Sequence, residues 1–352
     1  MKKFIIIMFA IIVAVPCVLL TGCGNGSTDF EDSSEITVYT ALEDENVTEY
    51  LELFSAKHPD ITVHIVRDST GIITARLLAE KNNPVADLVW GTAASSLLIL
   101  DEEGMLEPYA PAGVDKILPQ FKSGKSVPTW VGNNAWETVF VINAVEIEKI
   151  GLEASDINGY QDLLRPELKD HVVMPNPASS GTGLLTVTAL LQLNGRETDN
   201  GWDYMSALHE NIQQYTHSGS KPARMAAAGE CIVGISFGFP AINQKKQGAP
   251  VEIVFPAEGS GWDLESNALI KKSDINPAAK TFLDWAISDE AMNLYSKSYP
   301  IVTNGKASTY EGFPDHDPVE QLIENDLAWI AANRENILDR WTRMFDGKSE
   351  TR

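Results

Sequence analysis

The sequence predicts an α/β chain of two domains built on mainly parallel sheets. Three observations carry that expectation. From Glu35 onward, short β-rich runs alternate with helical patterns, the order that lays strands side by side with helices packed on their faces. The folded part, about 320 residues, exceeds what one hydrophobic core usually covers. No tandem repeat and no low-complexity tract interrupts the alternation after the N-terminal tether, so a solenoid is excluded.

The elements follow in order. The chain opens with "MKKFIIIMFAIIVAVPCVLLTGC", in which Lys2 and Lys3 precede an apolar run from Phe4 to Leu20. That is the layout of an export signal, and its ~17 apolar residues are marginal for a spanning helix. Leu20-Thr21-Gly22-Cys23 resembles the lipobox of bacterial lipoproteins, which implies a signal peptide over 1–22, cleavage before Cys23 and a lipid on its sulfur. Residues 23–35 are polar, acidic and rich in glycine and serine, and are expected to form a flexible tether. Three strand–helix pairs come next. "ITVYT" precedes "VTEYLELFSAKHP", "ITVHIVR" precedes "GIITARLLAEKNN", and "ADLVWG" precedes "SSLLILDEEG". A middle section holds "WETVFVINAVEI", "HVVMPN", the helix "GLLTVTALLQLNG", "CIVGISF" and "VEIVFP". The chain then turns helical through "PAAKTFLDWAISDEAMNLYSKS" and "VEQLIENDLAWIAANRENILDRWTRMF".

Charge and cysteines narrow the function. The formal charge is −22, from 27 basic and 49 acidic residues, and loss of Lys2 and Lys3 with the signal leaves 25 − 49 = −24. Such a chain is expected to bind no nucleic acid and to have no basic face for docking on a membrane. Cys17 leaves with the signal and Cys23 carries lipid, so Cys231 is the remaining thiol and no disulfide can form within the mature chain. It sits in the apolar run "CIVGISF", where an inert buried thiol is expected.

Ligands of open parallel sheets sit at the carboxyl ends of strands, in the turns that lead into helices. Three such turns share a character: "RDSTGIITARLL", "NPASSGTGLLTVTALL" and "THSGSKPARMAAAGE". Each places hydroxyls and glycine just ahead of a helical run. Taken singly, each reads as an ordinary N-cap. Together, and with the density of residues 179–183, they read as an anion site made of neutral donors at helix N-termini.

At this point the longer stretches carry a resemblance. "ITVYTALEDENVTEYLELFSAKHPDITV", "RDSTGIITARLLAEKNNPVADLVWG", "MPNPASSGTG", "QYTHSGSKPARMAAAGE" and "IVFPAEGSGWDLES" resemble the 2-aminoethylphosphonate branch of ABC-importer solute-binding proteins, within the ferric-ion-binder-like superfamily. The likeness runs from about Ile36 to about Tyr299. It implies a type II periplasmic-binding-protein fold with a ligand cleft between two lobes, lobe 1 over 36–137 and 256–304 and lobe 2 over 138–255 and 305–352. It implies an extracytoplasmic monomer, tethered to the membrane by the lipid on Cys23, that delivers its ligand to a permease and an ATPase. Neither enzymatic activity, cofactor nor metal is expected.

Carried onto this sequence, the resemblance places Ser179, Ser180, Gly181 and Thr182 on phosphonate oxygens from lobe 2. Ser69, Thr70 and Gly71 meet the same group from lobe 1, and Thr40 and Ala41 line the cleft. The ammonium end of the ligand needs carboxylates or aromatic faces. Glu43 and Asp263, the latter beside Trp262 in a loop exposed by glycines, are the candidates, and Trp90 is a candidate wall. Glu43 equally reads as a first-turn dipole residue and Trp90 as core. In the third turn His217 reads as a ligand contact or, more simply, a structural residue, and Lys221 as an added positive charge at the anion site or, more simply, a solvated lysine.

Alternative ligands are another phosphonate, a phosphate ester or ferric ion. Ferric-ion binders of this fold use adjacent tyrosines after the strand matching "CIVGIS", where this chain has Phe237-Gly238-Phe239-Pro240. A distant alternative is a serine hydrolase, because "GISFG" matches G-x-S-x-G around Ser236, with His316 downstream in "FPDHDP".

Overall fold

The computed structural model describes residues 34–313 and 317–351, so the signal peptide, Cys23, His316 and most of the tether lie outside the described residues. The order is β1 (Ser34–Thr40), α1 (Asp44–Lys57), β2 (Ile61–Arg67), α2 (Thr70–Ala79), β3 (Leu88–Ala93), α3 (Ala94–Glu102) and the short β4 (Leu106–Glu107). Next come β5 (Val131–Asn143), α4 (Ala144–Glu148), β6 (Val172–Pro175), α5 (Gly181–Leu193), α6 (Asn200–Asn211) and β7 (Ile212–Thr216). Then follow α7 (Lys221–Ala228), β8 (Val233–Phe237), α8 (Gly238–Lys246) and β9 (Val251–Val254). The rest is β10 (Trp262–Ile270), α9 (Pro277–Ala286), α10 (Asp289–Tyr295), β11 (Ile301–Val302) and α11 (Leu327–Phe345). β1 takes in Ser34 and Glu35, which the sequence reading placed in the tether. Ser34 N–H donates to Asp60 O, so ladder pairing with β2 reaches beyond the apolar part of the strand.

Two sheets share one strand. In the first, the order is β2-β1-β3-β10-β5, with β1 parallel to β2 and β3, and β10 antiparallel to both β3 and β5. In the second, β8 lies antiparallel to β5 and is followed by β6 and β7, which run parallel to it in turn. β5 is 13 residues long, and its pairing changes part-way. Val131 to Glu137 pair with β10, while Thr138 to Asn143 pair with β8 and β9. The chain therefore crosses from one lobe to the other inside a hydrogen-bonded strand. It crosses again between β9 and β10, and between β11 and α11. The carboxyl of Glu137, packed against Gly238 at the first crossing, is pushed up to about 8 by burial.

Each sheet is covered on both faces, which is why β3, β5 and β8 are buried along their whole length rather than at alternate residues. In the first lobe, one face packs Trp90, Tyr50, Phe54 and Phe282, and the other packs Tyr39, Ile73, Val89 and Leu97. In the second lobe, Phe140, Val172 and Leu190 form a core with Ile337 and Trp341 of α11. Its opposite face buries Val139, Val173, Ala226 and Cys231, whose thiol is pushed up to about 12 by burial. Leu327, the first residue of α11, packs against both lobes. Among the described residues, no helix is long and apolar enough to cross a membrane.

Candidate functional site

A cleft with an empty volume of about 450 Å³ opens where the carboxyl ends of the parallel strands of both lobes meet. Ala41 and Glu43 reach it from the turn after β1, Arg67, Ser69 and Thr70 from the end of β2 and its turn, and Gly91 and Ala93 from β3. Opposite lie Ser180, Gly181 and Thr182 at the start of α5, and Gly219 just before α7. Trp136 of the crossing strand β5 and Phe237 at the end of β8 meet edge to face at 5.7 Å, and Glu265 of β10 completes the wall.

One half of this cleft is made of neutral donors. Ser69 is the N-cap of α2, yet its hydroxyl makes no capping hydrogen bond. Ser180 caps α5 with only a long bond, Gly183 N–H donating to its Oγ at 3.3 Å. Both hydroxyls therefore have capacity for a ligand. The glycines are steric requirements. A Cβ on Gly181 would stand 2.8 Å from Thr70 Oγ1, and one on Gly219 would collide with Thr182 Oγ1. With bare main chain at those points, two helix N-termini from different lobes face one volume, and their partial positive charge favours a compact anion.

The other half is charged. Arg67 Nη2 donates to Glu43 Oε2 at 3.0 Å, and Arg67 Nε donates to Leu42 O at 2.9 Å. Burial raises the Glu43 carboxyl, while Arg67, the Ser220 hydroxyl and Arg224 oppose the shift. Glu265 is more deeply placed. Tyr299 Oη donates to its Oε1 at 2.9 Å and Asn134 Nδ2 to its Oε2 at 3.2 Å, but burial still pushes it up to about 8. That shift favours the neutral carboxyl near pH 7 and lessens its repulsion of an incoming anion. A cation brought close would draw the proton off.

Comparison with known proteins places this geometry. Residues 83–320 match the family model for bacterial extracellular solute-binding proteins. The chain belongs to that family. Among solved structures, this solute-binding protein is similar to the periplasmic binding protein AfuA from Actinobacillus pleuropneumoniae with fructose-6-phosphate bound. The identity is 31%, the TM-score is 0.80, and the match covers 89% of this chain and 99% of that one. It is also similar to the periplasmic binding protein P5PA, at 28% identity and TM-score 0.81 over 89% of this chain and 99% of that one. A third relative is a probable ABC transporter periplasmic-binding protein of Sinorhizobium fredii, 23% identical over 69% of this chain and 67% of that protein. The two-lobed α/β periplasmic-binding-protein fold is thus established for this family member.

The structure brings seven of the residues singled out in the sequence to the cleft of this solute-binding protein: Ala41, Glu43, Ser69, Thr70, Ser180, Gly181 and Thr182. Six others have different places. Thr40 is fully buried, and its Oγ1 accepts from Leu42 N–H at 3.1 Å, shaping the turn rather than lining it. Ser179 donates its hydroxyl to His217 O at 2.8 Å, and its carbonyl accepts from Gly71 N–H at 2.8 Å, so both residues join turn to turn. Trp90 is not a wall. It is wholly buried, donating Nε1 to Tyr295 Oη at 3.1 Å, because β3 runs on to Ala93 and its Gly91 and Ala93 face the cleft. Trp90→Ala is accordingly expected to cost about 3–5 kcal/mol of stability and leave ligand selectivity unchanged, measured by denaturant unfolding and by competition binding.

Trp262 and Asp263 are not on an exposed loop, since β10 begins at Trp262. Trp262 Nε1 donates to Ile323 O at 3.0 Å, away from the cleft. Asp263 lines a small neighbouring cavity that shares Thr70, Ser180 and Gly181 with the cleft and is closed on another side by Arg334. Burial raises its carboxyl to about 6 against hydrogen bonds from Ser95 and Leu264 N–H. The carboxyl that β10 presents to the cleft is instead Glu265, two residues along the same strand. Arg67, Gly219 and Trp136 are further cleft residues that the sequence reading does not single out, whereas Phe237 reads from the sequence as an apolar wall or packing and stands at the cleft. Arg67 was findable, because it ends β2 immediately before the flagged turn. Ser236 is fully buried with its hydroxyl donating to Gly219 O at 2.7 Å, which is no setting for a nucleophile. Phe237 stands at the cleft where the sequence comparison with iron binders expects tyrosine, and among the described residues no three His, Cys, Asp or Glu side chains cluster as a metal site would.

Proposed function

We propose that this solute-binding protein captures a monosubstituted phosphonate or phosphate ester and delivers it to an ABC importer. One observation carries the reading. Uncommitted hydroxyls and helix N-termini from both lobes converge on one end of the cleft, while carboxyls and Arg67 occupy the rest. A phosphoryl or phosphonyl group fits the first end, because neutral donors and helix dipoles hold an anion without a paired cation. Groups that donate hydrogen bonds fit the second, against Glu43 and Glu265.

2-Aminoethylphosphonate meets both demands in one small zwitterion, its ammonium facing the carboxyls and the Trp136 and Phe237 rings. A sugar phosphate is the second reading, favoured by the fructose-6-phosphate bound to the 31% identical relative. Calorimetry with 2-aminoethylphosphonate, ethylphosphonate, fructose-6-phosphate, inorganic phosphate and ferric ion separates them. Failure of every organophosphorus ligand to bind ends the proposal. Ser180→Ala and Thr182→Val each are expected to weaken all phosphoryl ligands about 10- to 100-fold, as loss of a charge-assisted hydrogen bond does. A ligand-specific effect would place those hydroxyls elsewhere. We also propose that Cys23 is lipidated, and mass spectrometry of the mature N-terminal peptide is expected to show a diacylglyceryl modification.

A further inference from the structure

The motif "GISFG", in which Ser236 reads as a distant candidate nucleophile, has a different use in the fold. Ser236 lies on β8, between β5 and β6, and is fully buried. Its hydroxyl donates to Gly219 O at 2.7 Å, in the turn between β7 and α7. That bond is one of three on this turn. Ser179 Oγ donates to His217 O at 2.8 Å, and Thr216 Oγ1 donates to Ser218 O at 3.0 Å. Three successive carbonyls are therefore each held by a hydroxyl, and all three hydroxyls belong to buried residues.

Holding the carbonyls decides where the N–H groups point. A peptide unit is planar and trans, so its N–H points opposite to its C=O. Fixing Gly219 O against Ser236 therefore fixes the Ser220 N–H on the side away from β8. Among the described residues this N–H meets no acceptor, although Ser220 is only 1% exposed. Buried main-chain donors are almost always paired, so one left open beside a cleft points to an acceptor on the ligand. Its surroundings say which kind. Gly219 lines the cleft, and a Cβ on it would stand 3.1 Å from Ser180 Oγ and collide with Thr182 Oγ1. The Gly219–Ser220 peptide thus lies against the two hydroxyls proposed to hold the anion. The Ser220 hydroxyl accepts from Arg224 Nη1 at 2.9 Å and is near enough to the Glu43 carboxyl of the cleft wall to stabilise its charge.

We propose, building on the functional reading above, that Ser236 is a positioning residue that aims the Ser220 N–H at a phosphoryl or phosphonyl oxygen. The cleft then offers the anion a main-chain donor beside the Ser180 and Thr182 hydroxyls. Two effects act together. The bond from Ser236 stops the peptide plane from rotating, so the donor is in place before the ligand arrives. It also polarises the peptide, because a carbonyl that accepts a hydrogen bond strengthens the N–H of the same unit as a donor. Ser236 itself never touches the ligand. Without its hydroxyl the peptide is free to turn, and a hydrogen bond to a charged group is lost, about tenfold in Kd for every phosphoryl ligand.

The test compares the mature chain with Ser236→Ala, which removes the hydroxyl, and Ser236→Thr, which keeps it. Thermal unfolding of the ligand-free proteins shows that each is folded. Kd is measured for 2-aminoethylphosphonate, ethylphosphonate and fructose-6-phosphate, and the Ser220 amide is followed by NMR with and without saturating ligand. Ser236→Ala is expected to weaken all three ligands by the same factor, about tenfold, and Ser236→Thr to bind as the parent does. In the parent the Ser220 proton is expected to move downfield when ligand binds, as a proton does on entering a hydrogen bond to an anion. In Ser236→Ala it moves much less. A serine that only stabilised its strand would lower the melting temperature of Ser236→Ala and leave that shift unchanged. Parent-like affinity in Ser236→Ala, or a folded Ser236→Thr that binds as poorly as Ser236→Ala, overturns the inference and leaves the functional reading standing. So does a Ser220 amide that stays in place when ligand binds the parent, a measurement that needs no variant to fold. A parent chain that binds none of the three ligands ends the functional reading, and this inference with it.

Discussion

Replacing Gly71 with alanine is expected to disable ligand capture while leaving each lobe folded. Gly71 opens the first turn of α2, and its N–H donates to Ser179 O of the other lobe at 2.8 Å. A Cβ at this position would collide with Ala178 O and stand 2.7 Å from Ser179 O. Both obstacles are main chain, so no rotamer change relieves them. The clash exists only when the lobes are together, since the atoms it meets belong to the second lobe. Overpacking of this kind costs about 1–3 kcal/mol or more, which corresponds to roughly 10- to 100-fold or greater loss of affinity for every ligand. Alanine is also the better helix former, so stability of the ligand-free chain is not expected to fall. Titration calorimetry and thermal unfolding of Gly71→Ala check the two halves. Normal affinity would show that closure does not bring these turns together.

Glu265→Gln is expected to raise stability and lower affinity together. In the folded chain burial holds the Glu265 carboxyl up to about 8, against about 4.3 for an ordinary glutamate. Below pH 4 both folded and unfolded chains carry the proton, and the group contributes no difference. As pH rises from about 4 to about 8, the unfolded chain releases the proton while the folded one retains it, so the parent protein progressively loses stability. Glutamine does not titrate. It also supplies an amide donor near Asn134 Oδ1, which is buried without a partner. The variant is therefore expected to melt a few degrees above the parent at pH 8 and level with it near pH 4. Its affinity for 2-aminoethylphosphonate is expected to fall about 10- to 100-fold, and that for ethylphosphonate much less. Equal losses for both ligands would remove Glu265 from the recognition of the amine.

The half of the cleft lined by hydroxyls and helix starts was legible in the sequence because its chemistry is local. Ser69-Thr70 and Ser180-Gly181-Thr182 sit at helix starts, and strand–turn–helix order fixes which end of a parallel sheet they occupy. The other half depends on pairings that no single segment reveals. Whether Trp90 or Trp136 faces the cleft is decided by how β3 and β5 present their faces, and by the irregular pairing of β3 with β10 between Ser266 and Ala268. Gly91, held at φ +63° beside Leu42, belongs to that irregularity. The segment "GSGWDLES" looked like a glycine-exposed loop, but its later residues are ladder partners of β5 from Trp262 onward. Reading it as a loop selected Asp263. Its strand geometry brings in Glu265, whose hydrogen-bond partners Tyr299 and Asn134 lie 34 and 131 residues away in sequence.

The hydrogen bond from Gly71 N–H to Ser179 O has one more consequence. Most main-chain amides in the α/β layers exchange with deuterium only when a helix or strand frays. This one is released whenever the lobes part, with all secondary structure intact. Its exchange rate is a clock for opening, readable by mass spectrometry without any label. Saturating ligand is expected to slow that amide far more than its helical neighbours, so the dwell time of the shut state can be followed at one proton.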